Sequence, residues 1–176
     1  MTYKETNKTM IKITETENYR ELIPFFIENE LEFEKGEEYG DDELLKCWRA
    51  DGCAASTGGA QDPAAGAGAL PAAGGDTALV GGCILAMREG EYICDGIAVA
   101  PELRKTGLGR QLLDLLLDEA RSRGAQRLFL VARAPAFFAK SGFTPIERAD
   151  APDFFECFSC PQYGKTCHPE VMTLRL

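Results

Sequence analysis

Basic residues are in the minority in this chain of 176 residues: 19 Lys and Arg stand against 28 Asp and Glu, a net charge of −9. That balance argues against general nucleic-acid binding, which needs basic patches. No apolar run approaches the length of a bilayer span, so no membrane partner is expected. The first ten residues, MTYKETNKTM, lack the apolar core of a secretory signal. Histidine occurs once, at His168, and a lone histidine is more often a surface residue than a metal ligand. The seven cysteines are 47, 53, 83, 94, 157, 160 and 167. An odd number scattered among core-like segments suits free thiols in a reducing compartment better than a disulfide framework, and a cytoplasmic location is expected. The length suits one domain with a real core.

What the chain does have is the stretch DGIAVAPELRKTGLGR at 95–110. A short apolar strand, Gly96-Ile97-Ala98-Val99, runs into a turn holding Pro101, then Gly107-Leu108-Gly109 opens an amphipathic helix. A strand, a glycine-bearing turn and a helix N-terminus make an anion site. Glycine lets backbone approach a ligand, and the first helical N–H groups have no intrahelical partner. Arg104, Lys105 and Arg110 add positive charge, and a pyrophosphate would suit the place. Two nucleotide readings fail for want of residues. A dinucleotide fold needs a third glycine directly after the strand, and a P-loop needs Lys-Ser or Lys-Thr after its last glycine. Lys105-Thr106 precedes the glycines instead.

The arrangement Arg104-x-x-Gly107-x-Gly109 resembles the acetyl-CoA pyrophosphate loop of the GNAT N-acetyltransferase superfamily. The resemblance continues through Arg127-Leu-Phe-Leu-Val-Ala to Phe137-Phe138-Ala139-Lys140-Ser141-Gly142-Phe143, which is similar to that family's FYxKxGF segment, and ends near Ile146. It implies an α/β fold: a twisted mixed sheet of about six or seven strands with helices on both faces, in the order β-α-α-β-β-β-α-β-α-β-β. It also implies acetyl-CoA as co-substrate and direct acetyl transfer to a primary amine of a small molecule or peptide. Arg104, Lys105, Thr106, Gly107, Leu108, Gly109 and Arg110 would hold the pyrophosphate, chiefly through backbone amides. Ile97, Ala98 and Val99 would line the pantetheine arm where the sheet splays beside a bulge. Gly96 suits such a bulge or, alternatively, a close packing contact.

Direct transfer needs a neutral amine, and a carboxylate often removes the proton. Asp95 is the first choice of base, with the alternative that it only positions the acceptor; Glu91, on the same strand face, is the second. The family's usual proton donor is a Tyr where this chain has Phe138, which cannot donate and is expected to pack against the cofactor arm. Tyr163, Cys94 or water would then serve, or the thiolate would leave unassisted. The segment Val131-Ala132-Arg133-Ala134-Pro135-Ala136-Phe137-Phe138 resembles short N-acetylglutamate synthases. By that resemblance Arg133 would meet an acceptor carboxylate, giving amino-acid N-acetylation as a second substrate reading. The rival class is a non-catalytic acyl-CoA-binding or sensor protein.

Elsewhere, 10–14 reads as a strand and Thr14-x-x-Glu17 as a capping box. A helical pattern over 18–33 is broken by Pro24 into a kink or two short helices. A further helix is expected from Asp41, with Leu44, Leu45 and Trp48 apolar. The Ala/Gly/Pro-rich stretch 52–76 reads as an insertion at a hairpin tip, inert or a lid. The acidic run 28–43 is either a solvated helix face or an attractor for a cationic amine. Cys157-x-x-Cys160 with Cys167 and His168 could hold zinc, but offers one good half-site only, so free thiols are expected. We expect a single domain over 1–176, with a Cys-rich segment at 157–168; a homodimer is left open.

Overall fold

The structure is a computed structural model, and it describes residues 3–6, 9–31, 33, 36, 38–40, 43–54, 77–152, 164–165 and 168–176. Eight strands form one sheet: β1 (Tyr3–Thr6), β2 (Thr9–Thr16), β3 (Leu44–Ala54), β4 (Thr77–Arg88), β5 (Glu91–Val99), β6 (Arg127–Ala132), β7 (Thr144–Pro145) and β8 (Glu170–Arg175). Their order across the sheet is β1-β2-β3-β4-β5-β6-β8-β7, and among the described residues only β5 and β6 pair in parallel. Among the described residues three α-helices accompany them: α1 (Leu22–Glu28), α2 (Leu108–Ser122) and α3 (Pro135–Ala139). This is the mixed α/β architecture expected, with one strand more than the upper count.

Two glycines set the layers. A Cβ on Gly81 would meet Leu112 and Leu108 of α2 at 3.3 and 3.4 Å, whereas one on Gly82 would lie 2.8 Å from Leu22 of α1. Successive strand residues point to opposite faces, so α2 covers one face of β4 and α1 the other, each pressed close where no side chain intervenes. Leu112, Leu113, Leu116 and Ala120 of α2 are fully buried, as its 3.6-residue period requires. On the other face Leu22 and Phe26 are fully buried as well.

Several expectations are corrected. The helix expected from Asp41 is strand β3, which pairs with β2 on one side and β4 on the other. Its apolar residues deceive because a register shift at Leu45 breaks the two-residue alternation, and because Cys47 and Trp48 are buried on opposite faces. The capping box at Thr14 does not form, since β2 runs to Thr16; the Thr16 hydroxyl instead accepts from the Asn18 N–H at 3.1 Å. The pattern over 18–33 becomes a 3-10 turn, Tyr19–Glu21, followed by α1, with Pro24 in the first turn of α1 where its missing N–H costs nothing. Helix α1 stops at Glu28. The N–H of Leu31 reaches the C=O of Phe26 at 2.9 Å and that of Glu30 reaches Ile27 at 3.0 Å, around Glu30 at φ 66°. That is a Schellman ending with glutamate where glycine is usual. The hairpin β4–β5 turns on Glu89 and Gly90, both at positive φ, a two-residue turn whose twist suits the strands. Gly52, Cys53 and Ala54, expected in the insertion, lie in β3; residues 55–76, which join β3 to its neighbour β4, lie outside the described residues.

Lys46 on β3 pins α2 to the sheet. Its ammonium contacts Glu119 at 3.1 Å and Glu15 at 3.0 Å, and Glu119 also accepts from Arg123 at 2.8 Å. Burial pushes the Glu119 carboxyl up, but its bonds with Arg123 and Lys46 prevail and hold it below the usual range. A carboxyl depressed on folding contributes stability above its unfolded pKa of roughly 4.3 and loses it as pH falls through the folded value. We therefore expect Glu119→Gln to cost about 1 kcal/mol at pH 7 and much less near pH 3, checked by thermal melts across that range. Gly96 gives a second test. A Cβ there would sit 2.8 Å from Phe26 Cε2 and 2.9 Å from Phe33 Cζ, so Gly96→Ala should destabilise the protein by about 1–3 kcal/mol in denaturant titration.

Candidate functional site

Strands β5 and β6 pair at only two positions, Tyr92 with Leu128 and Ile93 with Phe129. Beyond them β5 stays with β4 and β6 stays with β8, so the sheet opens between β5 and β6. Next to the opening, the β4–β5 register shifts: Ile84 faces Gly96 and Leu85 faces Cys94, leaving Asp95 as the extra residue of a bulge. Gly96 thus satisfies both readings of the sequence, lying beside the bulge and directly under Phe26 and Phe33. The Ala100 N–H donates to Val80 at 2.9 Å. Because hydrogen-bonded pairs alternate along an antiparallel ladder, Ala98 spends its backbone groups on β4, and Ile97 and Val99 turn theirs toward the opening. Of the three residues expected there, two present backbone and one does not. Arg104 Nε already donates to the Val99 carbonyl at 3.3 Å.

Past Val99 the chain makes a 3-10 turn, Pro101–Leu103, and reaches α2 through two left-handed residues, Lys105 at φ 67° and Gly107 at φ 93°. The turn is braced from within: Thr106 Oγ1 donates to Leu103 O at 2.7 Å. Gly107 caps α2 without a side-chain bond, where Ser, Thr, Asp or Asn would normally supply one. The first intrahelical bond runs from Gln111 to the Gly107 carbonyl at 3.1 Å. The amides of Leu108, Gly109 and Arg110 therefore point out of the helix end unused by it, at the positive pole of its dipole. The Leu108 side chain is buried beneath, so only its amide can serve.

Gly109 differs from Gly96. A Cβ on it would meet Phe137 at 3.4 Å and Val99 at 3.5 Å, ordinary contact distances. The fold does not require glycine there. Arg110 does not simply add charge: it pairs with Asp114 at 2.8 Å and donates to Ser141 Oγ at 3.0 Å, tying α2 to the turn after α3. Phe138 is buried, edge-on to Phe137 and Phe143. It is Phe137 that lies beside Gly109, a placement the FYxKxGF resemblance did not single out.

Asp95 faces α1. Its Oδ2 accepts from Arg88 Nη2 at 3.2 Å and from the Tyr39 hydroxyl. Tyr39 stands edge-on to buried Tyr19, with ring centroids 4.9 Å apart. Neither Tyr39 nor Arg88 is singled out by the sequence: Tyr39 reaches Asp95 across 56 residues, Arg88 reaches it from the neighbouring strand of the hairpin, and neither carries a motif. The Asp95 carboxylate also acts on the neighbouring thiol of Cys47, which burial first and that charge second push up to about 12. Cys94, one residue before Asp95, is buried on the α2 face, and burial pushes its thiol up too, against use as a proton donor.

Glu91 is not brought to the site. It lies at the hairpin end of β5, with fully buried Ile93 between it and Asp95, and it pairs with Arg127. Arg133 follows β6. It lies beyond the last β5–β6 pair, Ile93 with Phe129. Its guanidinium donates to the Glu30 carbonyl and lies 3.6 Å from the Glu30 carboxylate. Cys157, Cys160, Tyr163 and Cys167 lie outside the described residues. Among the described residues no group of three or more His, Cys, Asp or Glu is arranged to hold a metal, and no helix is long and apolar enough to cross a membrane.

Comparison with known proteins bears on this site directly. The chain shares 39% identity over 61 residues with an amino-acid acetyltransferase of Edwardsiella ictaluri, covering 34% of this chain and 13% of that one. It shares 41% over 51 residues with an amino-acid acetyltransferase of Mycobacterium tuberculosis, 29% of each. It therefore matches less than a third of the length of either relative. Among solved structures, N-acetylglutamate synthase from Neisseria gonorrhoeae, complexed with coenzyme A and N-acetyl-glutamate, shares the fold at a TM-score of 0.61. The identity is 19%, over 98% of this chain and 36% of that one. The family model for the GNAT acetyltransferases matches residues 25–143, from within α1 through the opened strands to Phe143, and the chain belongs to that family.

Proposed function

We propose that this protein is an acetyl-CoA-dependent N-acetyltransferase acting by direct transfer on the primary amine of an amino acid. The observation that carries the reading is the joining of two backbone sites: outward amides at Leu108–Arg110, and gap-facing groups of Ile97 and Val99 beside the bulge. The first suits a pyrophosphate and the second an extended amide-bearing arm, which adds itself to β5 as a strand would. Acetyl-CoA supplies an activated thioester, whose C–S bond breaks as the new N–C bond forms.

In this reading the chain's own groups orient and deprotonate. Asp95, held by Arg88 and Tyr39, accepts the amine proton directly or through water, freeing the lone pair for attack. Phe138 donates nothing, so the departing thiolate takes its proton from water. Arg133 meets the acceptor's carboxylate, for which a guanidinium offers two parallel donors. The amino-acid acceptor is favoured by the two curated relatives, both amino-acid acetyltransferases, together with the position of Arg133 at the mouth of the opening.

Two experiments test this. Gly109→Ala should leave stability equal or slightly raised, because the methyl has room and alanine suits a helix. Acetyl-CoA affinity should nevertheless fall about ten-fold or more in calorimetry, since the methyl stands between the amides and the phosphates. Wild-type affinity would remove the pyrophosphate from this loop. Asp95→Asn should lower kcat about 100-fold on an amino-acid panel read by thiol release, with acetyl-CoA affinity kept. A rise in acceptor KM at constant kcat would make Asp95 a positioning group instead.

A further inference from the structure

The turn that ends α1 is fastened to both banks of the opening. On the β5 side, Arg104 Nη2 donates to Asn29 Oδ1 at 3.3 Å while its Nε holds the Val99 carbonyl. On the β6 side, Arg133 donates to the Glu30 backbone carbonyl and pairs with the Glu30 carboxylate. Glu30 therefore offers Arg133 two acceptors of different kinds. The carbonyl belongs to the helix ending and is fixed by it. The carboxylate hangs on a side chain that is 81% exposed, against 40% for Arg133. An ion pair so open to water is weak and readily exchanged.

The position itself is informative. Glu30 occupies the left-handed residue of a Schellman ending at φ 66°, where glycine or asparagine is the usual choice. Glutamate there is conformationally unfavourable, and its side chain buries nothing that would compensate. The side chain's one ionic partner among the described residues is Arg133.

We propose that Glu30 sets the affinity for the acceptor: its carboxylate occupies the Arg133 guanidinium as a stand-in for the acceptor's own carboxylate, which must displace it to bind. The proposal rests on the amino-acid reading above. The Glu30 carbonyl keeps Arg133 aimed while the carboxylate yields its place. An amine without a carboxylate leaves the Glu30–Arg133 pair in place, and so neither gains from Arg133 nor loses by freeing it. The affinity for a carboxylate-bearing acceptor is thus the difference between two carboxylates competing for one guanidinium.

Steady-state kinetics with L-glutamate and with its diamide, in which both carboxylates are amides, provide the test. Glu30→Gln keeps the backbone carbonyl and removes the competing charge. It should lower the KM for glutamate about three-fold at unchanged kcat and leave the KM for the diamide where it was. Glu30→Gly should give the same kinetic change together with a higher Tm, because glycine relieves the left-handed backbone. A fall in KM confined to the carboxylate-bearing acceptor, alongside a rise in stability, is not what a purely structural residue produces. In Arg133→Gln the effect of Glu30→Gln should vanish. An unchanged or raised KM for glutamate in Glu30→Gln, or an equal fall for the diamide, overturns the proposal. If the wild-type protein itself does not prefer glutamate to the diamide, the amino-acid reading falls and takes this inference with it. If that preference stands and Glu30 is inert, only the inference falls.

Discussion

The site depends on one parallel strand pair being cut short. β5 and β6 hold together at Tyr92–Leu128 and Ile93–Phe129 and then part. Had the ladder continued, the backbone groups of Ile97 and Val99 would be spent on β6, as buried polar groups must be spent somewhere. Their freedom is created structurally. β6 takes β8 as its antiparallel partner over its whole length, and the bulge at Asp95 turns the end of β5 away from it. The bulge in turn needs Gly96, since Phe26 and Phe33 press on the backbone there too closely for a side chain. Fold and chemistry meet in that contact: the same aromatic pair that seals the α1 face of the core keeps the bulge, and therefore the opening, in place.

The glycines divide accordingly. Gly81, Gly82 and Gly96 answer to packing, because helices or rings stand where their side chains would be. Gly107 answers to backbone conformation. Gly109 answers to neither: nothing in the protein crowds it. It is the glycine whose presence is best explained by a ligand. Around the opening, four charged side chains are already engaged, Arg104 with Asn29 and Val99, Arg110 with Asp114 and Ser141, Arg133 with Glu30, Asp95 with Arg88. These contacts hold the walls of the site in position, and those made by exposed groups are weak enough to be exchanged for a substrate.

Much of this was legible in the sequence because the site is built on contiguous backbone. The run 95–110 carries strand, turn and helix start in order, and its glycines and periodicity mark each one. α2, β4, β5 and β6 followed from local pattern for the same reason. The failures share a cause as well. β3 was taken for a helix because a register shift and burial on both faces erase its alternation. Tyr39 is invisible in the sequence because it reaches Asp95 through tertiary packing from the segment after α1; Arg88 is close by in the β4–β5 hairpin, but the bulge that brings Asp95 to it leaves no mark in the sequence. Glu91 stands as second choice behind Asp95 in the sequence because alternation gives the face of a strand but not its surroundings, and in the structure it pairs with Arg127. Phe137 and Phe138 are neighbours in sequence, and only the packing of α3 decides which one meets Gly109.

The central claim is that the end of α2 and the gap-facing edge of β5 form one continuous backbone site for acetyl-CoA. Titrating isotopically labelled protein with acetyl-CoA and following backbone amide resonances tests it residue by residue. The account requires the largest shifts at Leu108, Gly109 and Arg110 and at Ile97 and Val99, all saturating with a single affinity, while Ala98, committed to β4, moves less. Shifts confined to other elements, or saturation of the helix amides without those of β5, would contradict it.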